Sequence, residues 1–295
     1  MEEAVHHIAN RKLFLHRGAY FLEGTVTPEY IDSLEDFQVR DSDVFVITYP
    51  KSGTVWTQHI LSLIYHEEHR NNTGHIPTVD RVPWLEYNWT NVDYEQRPSP
   101  RLFSSHLPHY LAPKRMKNKK AKVIYVTRNP KDNMVSSYHF THMMKKLYEI
   151  QDNIPDIGAF MEGYLTGIEV FPCLWIDHVS GWYAHKEEFN ILFLSYEEMI
   201  KDLRGVIQKI CNFLDKQLDD QSMERVVGRA AFRTMKADPL ANYQSVGGKE
   251  LHFFMRKGTI GDWKNIMTVA QNERFDRVLQ EKLKDLPIKF IWDIN

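Results

Sequence analysis

Four residues able to hold an anion follow one another at Lys51-Ser52-Gly53-Thr54, three residues after the apolar run Val44-Phe45-Val46-Ile47 and before a helical pattern opened by Val55-Trp56. A strand, a short loop and a helix start make a natural anion site. The first N–H groups of a helix have no internal partner, and its dipole is positive there. Gly53 lets the backbone approach closely, Lys51 adds a point charge, and Ser52 and Thr54 supply hydroxyl donors. The order is not that of the nucleotide loop G-x-x-x-x-G-K-[ST], because here the lysine precedes the glycine. Alone, the stretch also reads as an ordinary strand–helix turn.

Other groups of the right chemistry stand further along. Ser104-Ser105-His106 closes a short apolar stretch stopped by Pro108, and His106 is a candidate general base. Arg128 ends the apolar run 122–127, and Pro130 suits the first turn of a helix. Ser136, about two turns into that helix, matters only where a second phosphate binds. In a late loop, Arg256-Lys257-Gly258 sets two cations before a glycine and could clasp a phosphate with side chains and backbone together. His139 with His142, and His66 with His69, have the i,i+3 spacing of metal ligands. Neither pair has a third ligand nearby in sequence, so no metal is expected.

A scaffold must bring these positions together. Apolar strands at 44–48, 101–107, 122–128 and 190–195 are separated by helical patterns, which indicates a parallel sheet covered on both faces. Helices are predicted from 54 to about 66, over 130–147, near 175–185, from 196, over 203–214 and 219–227, and over 269–283. Residues 1–40 read as an irregular apron with the aromatic anchors Phe14, Tyr20, Phe21 and Phe37. Residues 67–100, with four prolines and Trp84, Tyr87 and Trp89, read as a long loop of the kind that carries function. No internal repeat or linker divides the chain, so one doubly wound α/β domain of 295 residues is expected. Ligands of such sheets gather beyond the carboxyl ends of the strands, which puts Lys51, His106 and Arg128 at one mouth.

The composition, 43% hydrophobic and 13% aromatic, is ample for a sizeable core. A formal net charge of −2 argues against nucleic acid as a partner. The basic run 114–122 reads as a solvated connector. Two cysteines make no disulfide framework, and no apolar run approaches the ~18 residues of a membrane span. A soluble cytosolic protein is expected, one whose glycosylation sequons at Asn71 and Asn88 are never read.

On these motifs nearly the whole chain resembles the cytosolic sulfotransferases. Thr48-Tyr49-Pro50-Lys51-Ser52-Gly53-Thr54 is similar to that family's loop for the 5′-phosphosulfate of 3′-phosphoadenosine 5′-phosphosulfate (PAPS). Arg128 through Ser136 resembles its 3′-phosphate segment, and Arg256-Lys257-Gly258 with Gly261-Asp262-Trp263 resembles the signature that closes over the same phosphate. The resemblance implies sulfuryl transfer from PAPS, without a metal, to a small lipophilic phenol, alcohol, steroid or amine, with His106 as general base and Lys51 at the bridging oxygen. It also implies donor contacts from residues 51–55, Arg128, Ser136 and the clasp, with Trp56, Phe232 and Tyr196 around the adenine. Phe21, Trp84 and His139 match acceptor-pocket positions. Tyr87, Tyr138, Phe140 and Met144 are further apolar candidates. The stretch Lys264-x3-Thr268-Val269-x3-Glu273 matches a segment through which members form homodimers.

Ser-Ser-His at 104–106 and the tail Leu286-Pro287-Ile288-Lys289-Phe290-Ile291-Trp292-Asp293-Ile294-Asn295 most resemble the amine sulfotransferase branch. Two positions depart from the family pattern. Ser104 stands where phenol-directed members carry a lysine, and Ala230 where a threonine often touches the nucleotide. A catalytically silent nucleotide-binding scaffold and an ATP-dependent P-loop kinase are the alternative readings. The kinase is disfavoured by the lysine–glycine order and by the absence of an evident Mg²⁺-binding aspartate after a strand.

Overall fold

Alternation along the strands sets up a sheet with no solvent face. A computed structural model describes residues 13–69, 75–88, 92–147, 155–167, 171–244, 255–284, 286 and 288–294, with the side chains of 66–69 and 144–147 outside the description. Its four-stranded sheet has the order β4-β3-β5-β6, from Leu102–Ser105 (β4), Val44–Thr48 (β3), Lys122–Thr127 (β5) and Asn190–Ser195 (β6). All three pairings are parallel. Val44, Val46, Ile124 and Val126 point into one core cluster, and Phe45, Ile47, Val123 and Tyr125 into another. Period-two alternation with both sets apolar is what a sheet covered on both faces requires.

The helix Thr54–His69 (α2) covers the first face with Ile60, Leu63 and Ile64, all fully buried. Trp182 of Trp175–Ala184 (α5) is buried on the second. Pro130–Leu147 (α3) and Val269–Leu283 (α10) begin and end at the predicted residues. A Thr268–Gln271 capping box fixes the start of α10. Ser195, the last residue of β6, caps Tyr196–Lys201 (α6) with Glu198 in the same way.

The expected irregular apron is partly regular. Leu13–His16 (β1) and Ala19–Leu22 (β2) form an antiparallel hairpin, followed by the short helix Pro28–Ser33 (α1). Arg17 and Gly18 turn it with φ of 49° and 80°, the two positive values that a tight hairpin turn needs. Ile157–Thr166 (α4), capped by Asp156 and stopped at Gly167 with φ of 80°, was also absent from the sequence reading. Between these elements and α10 lie Leu203–Phe213 (α7), Asp220–Ala230 (α8) and Phe232–Ala237 (α9).

The expected long loop 67–100 is partly the end of α2, which continues to His69. Its residues 83–85 lie along β4: Ser104 N–H donates to Pro83 O and Leu85 N–H to Ser104 O, each at 2.8 Å. Trp84 and Ser104 form a parallel bridge. Trp89 and the sequon at Asn71 lie outside the described residues.

Candidate active site

Parallel register aligns the strand ends. Ile47 is level with Ser105, Thr48 with Val126, and Thr127 with Ser195. The residues that follow therefore meet at one edge: the Lys51 loop, His106, Arg128 and Tyr196.

The loop is built around two unusual backbone positions. Lys51 has φ of 66°, and Gly53 has φ of 101°. A Cβ on Gly53 would lie 2.8 Å from Tyr196 Cδ2, so only glycine fits. A non-glycine residue at positive φ costs on the order of 1–3 kcal/mol and needs the surroundings to hold it. Here Arg128 Nη1 donates to Lys51 O at 3.1 Å, and Asn133 Nδ2 donates to Pro50 O at 2.8 Å and to Ser52 Oγ at 3.0 Å. Tyr164 OH donates to Asn133 Oδ1 at 3.0 Å and fixes the amide's orientation. Asn133 and Tyr164, both buried, were not read from the sequence, since their role depends on contacts 31 and 81–83 residues apart.

Cations converge on this loop. Burial, and then the charges of Arg128 and Arg256, lower the Lys51 ammonium to about 7. The Arg128 guanidinium lies over the Tyr196 ring, 4.2 Å from its centroid, and Lys51 Nζ lies 4.2 Å from that of Phe140. Arg256 and Lys257 both reach Asp262, at 2.5 Å and 2.6 Å. The clasp segment is tied to α3, because Asp132 accepts from Gly261 N–H at 2.7 Å and Trp263 N–H at 3.0 Å. Asn129 links Asp132 to Glu197 with its side-chain amide, and its backbone N–H also donates to Glu197.

Three aromatics stand beside the helix start. Trp56 meets Tyr196 edge to face at 5.5 Å and donates from Nε1 to Ala230 O at 2.7 Å. Phe232 packs on Gly258, where an added Cβ would lie 2.4 Å from its ring. Trp56 is thus both helix core and site wall. Val55, Ser136 and Phe232 are half-buried, Ser52 and Thr54 buried, and Lys257 exposed.

Among the described residues, every polar atom of His106 but Nε2 has a partner. Its Nδ1–H donates to Thr48 O at 2.7 Å, its backbone N–H to Glu86 Oε1 at 2.6 Å, and its carbonyl accepts from His178 Nε2 at 3.1 Å. The bond to Thr48 O fixes the tautomer and leaves Nε2 with the lone pair. Burial lowers the imidazole to about 4; the Thr48 bond opposes this and Lys51 adds to it. A neutral imidazole with a free lone pair can take a proton. The Trp84 ring lies 4.5 Å from it, centroid to centroid.

The acceptor-side expectations are placed unevenly. Trp84 and Tyr87 are buried near His106, and Phe171 joins them with ring centroids 6.2 Å from both Tyr87 and His106. Phe21 is a core residue of the same cluster, packed on Phe14 at 5.7 Å. His139 is lowered by burial and next by Arg256, so its charged surroundings are those of the clasp. The side chain of Met144 lies outside the described residues. Ser104 is fully buried, and its Oγ accepts from Gln58 Nε2 at 2.6 Å. Among the described residues, no three His, Cys, Asp or Glu side chains are grouped to hold a metal.

An α/β sheet with an anion-binding loop, converging cations and a neutral histidine at its strand ends defines a group-transfer enzyme that handles an anionic donor. Residues 41–287 match the sulfotransferase domain family, and the chain belongs to that family. It is 54% identical to an amine sulfotransferase of Oryctolagus cuniculus, over 97% of this chain and 96% of that protein. It is 39% identical to a 3-beta-hydroxysteroid sulfotransferase of Cavia porcellus, over 90% of this chain and 93% of that one. Among solved structures, the mouse sulfotransferase SULT7A1 complexed with PAP is similar, with a TM-score of 0.74 and 31% identity over 93% of this chain and 95% of that one.

Proposed function

We propose that the protein transfers a sulfuryl group from PAPS to the hydroxyl or amine of a small lipophilic acceptor, by in-line displacement with His106 as general base. The observation that carries this reading is the convergence of Lys51, Arg128 and Arg256 at the start of α2. Lys51 is lowered to about 7 partly because Arg128 and Arg256 face it, and an anion between them reverses that shift. The residues present fit such a donor. The loop N–H groups and Lys51 suit a phosphosulfate, while Arg128, Arg256, Lys257 and Gly258 suit a second phosphate, with Ser136 on α3 as a further donor. Trp56, Tyr196 and Phe232 suit a base. Charge-assisted hydrogen bonds of about 1.5–3 kcal/mol each would anchor the remote phosphate.

PAPS supplies the sulfuryl group and a phosphate leaving group. His106 Nε2 takes the acceptor's proton as the new bond forms, a contribution of roughly 10²–10⁴ in rate. Lys51 and the loop N–H groups stabilise charge where it develops on the leaving side. Trp84, Tyr87 and Phe171 make the wall beside the base apolar, which suits lipophilic acceptors. The 54% identity to an amine sulfotransferase supports amines among them. A homodimer through residues 264–273 is supported by Val269, 76% exposed on α10. Two free cysteines, Cys173 and Cys211, suit a cytoplasmic setting. Among the described residues no helix is long and apolar enough to cross a membrane.

Incubation with radiolabelled PAPS and a panel of phenols, alcohols and amines tests the reading. Labelled product is expected, and an unlabelled panel would favour a silent scaffold. His106→Ala should bind PAPS normally while losing about 10²–10⁴ in turnover. Near-normal turnover in that variant would falsify the general-base role.

A further inference from the structure

We propose that Glu86 is the positioning residue of the catalytic histidine: its buried carboxyl fixes the main chain of His106 and so aims the imidazole at the acceptor. This rests on the general-base reading of His106.

The geometry comes from residues 83–86. They run beside β4, with Leu85 N–H on Ser104 O and Ser104 N–H on Pro83 O. Trp84 and Glu86, two residues apart, then reach the same neighbour in different ways. The Trp84 ring lies against the imidazole, and Glu86 Oε1 accepts the His106 N–H at 2.6 Å. His178 takes the other side of the residue by donating to His106 O, and is itself oriented by Tyr125, whose OH lies 2.9 Å from His178 Nδ1. Both side chains that grip this main chain are buried and titratable.

Glu86 is an expensive way to make one hydrogen bond. It is 1% exposed, and Oε2 has no hydrogen-bond partner among the described residues. Burial raises the carboxyl to about 7; the bonds from His106 N–H and its own N–H, and the nearby Ser105 hydroxyl, only partly offset this. Among the described residues, the groups that feel its charge are Tyr30, Tyr87 and Tyr94, with no cation among them. A buried acid without a counter-ion is poor for stability, and a well-packed apolar residue there is usually neutral or better. Its use is in placement, because a misplacement of about 1 Å can cost ~10² in rate.

The test compares Glu86→Leu, which removes the acceptor, with Glu86→Gln, which keeps an oxygen for the His106 N–H. In E86L, kcat should fall about thirtyfold or more while the Kd for PAP stays within about twofold, and E86Q should restore most of that loss. In a His106→Ala background, E86L should cost nothing further. An equal loss with and without His106 makes Glu86 a structural residue and overturns the proposal, as does wild-type kcat in E86L. Wild-type turnover in H106A alone removes the general-base reading instead. Should E86L fail to bind PAP, the amide proton of His106 is followed by NMR in protein labelled with ¹⁵N-histidine. It should lie far downfield in the wild type, as an amide bonded to a carboxyl group does, and move upfield in E86Q; an amide at the same shift in both overturns the proposal.

Discussion

At the scale of single residues, the site is legible where chemistry follows the chain and hidden where it crosses the fold. Lys51, Gly53, His106 and Arg128 announce themselves by type and by their place after apolar runs. Glu86, Asn133, Tyr164 and His178 do not, because each acts through a partner 20 to 83 residues away. Gly258 belongs to the first group and gives a sharp test. It has φ of 66°, and a Cβ would meet the Phe232 ring at 2.4 Å. Gly258→Ala should therefore displace Phe232 and weaken PAP roughly tenfold, read by calorimetry, the left-handed backbone alone costing about 1–2 kcal/mol. Unchanged affinity would show that Phe232 takes no part in the nucleotide site.

At the scale of elements, the strands and the long helices follow from the sequence because their periodicity and caps are local. The hairpin β1–β2 escaped because Arg17-Gly18 is a less familiar turn pair than Asn-Gly, although Gly18 was a usable signal. Helix α4 escaped although Asp156 and Gly167 mark its two ends. The clasp segment 256–263 shows how one element holds another: α3 grips it through Asp132, which accepts two of its backbone N–H groups. Asp132→Ala leaves both donors without their acceptor and costs about 1.5–3 kcal/mol per charged bond, so PAP binding should weaken at least about tenfold. Binding of a ligand lacking the 3′-phosphate should weaken less. Equal losses for the two ligands would place the effect outside the clasp.

At the scale of the whole molecule, buried ionisable groups set opposing pH dependences. Burial lowers His59 and His106 to about 4 and His178 to about 3, below their unfolded range. Their contribution is complete above about pH 6.5 and is lost as pH falls through the folded values. Burial raises Glu86 and Glu197 to about 7, and their contribution is complete below about pH 4.5 and lost as pH rises through 7. Glu197→Gln keeps an acceptor for Asn129, so its Tm should decline less than the wild type's between pH 5 and 8. Parallel declines would refute the assignment. Val269 poses the other question at this scale. On the proposed homodimer reading, the wild type should sediment as a dimer and Val269→Glu as a monomer in analytical ultracentrifugation; a monomeric wild type, or a variant that stays dimeric, would refute that interface.

The pairing of Asp262 with both Arg256 and Lys257 has a kinetic side. A clasp with its own carboxylate is never bare. On the proposed reading, an incoming phosphate would exchange with a resident counter-ion, and the carboxylate would take the cations back as the phosphate departs. Release of a spent nucleotide would then expose no unmatched charge, and Asp262→Asn should slow that release while tightening capture, as stopped-flow kinetics with PAP would show.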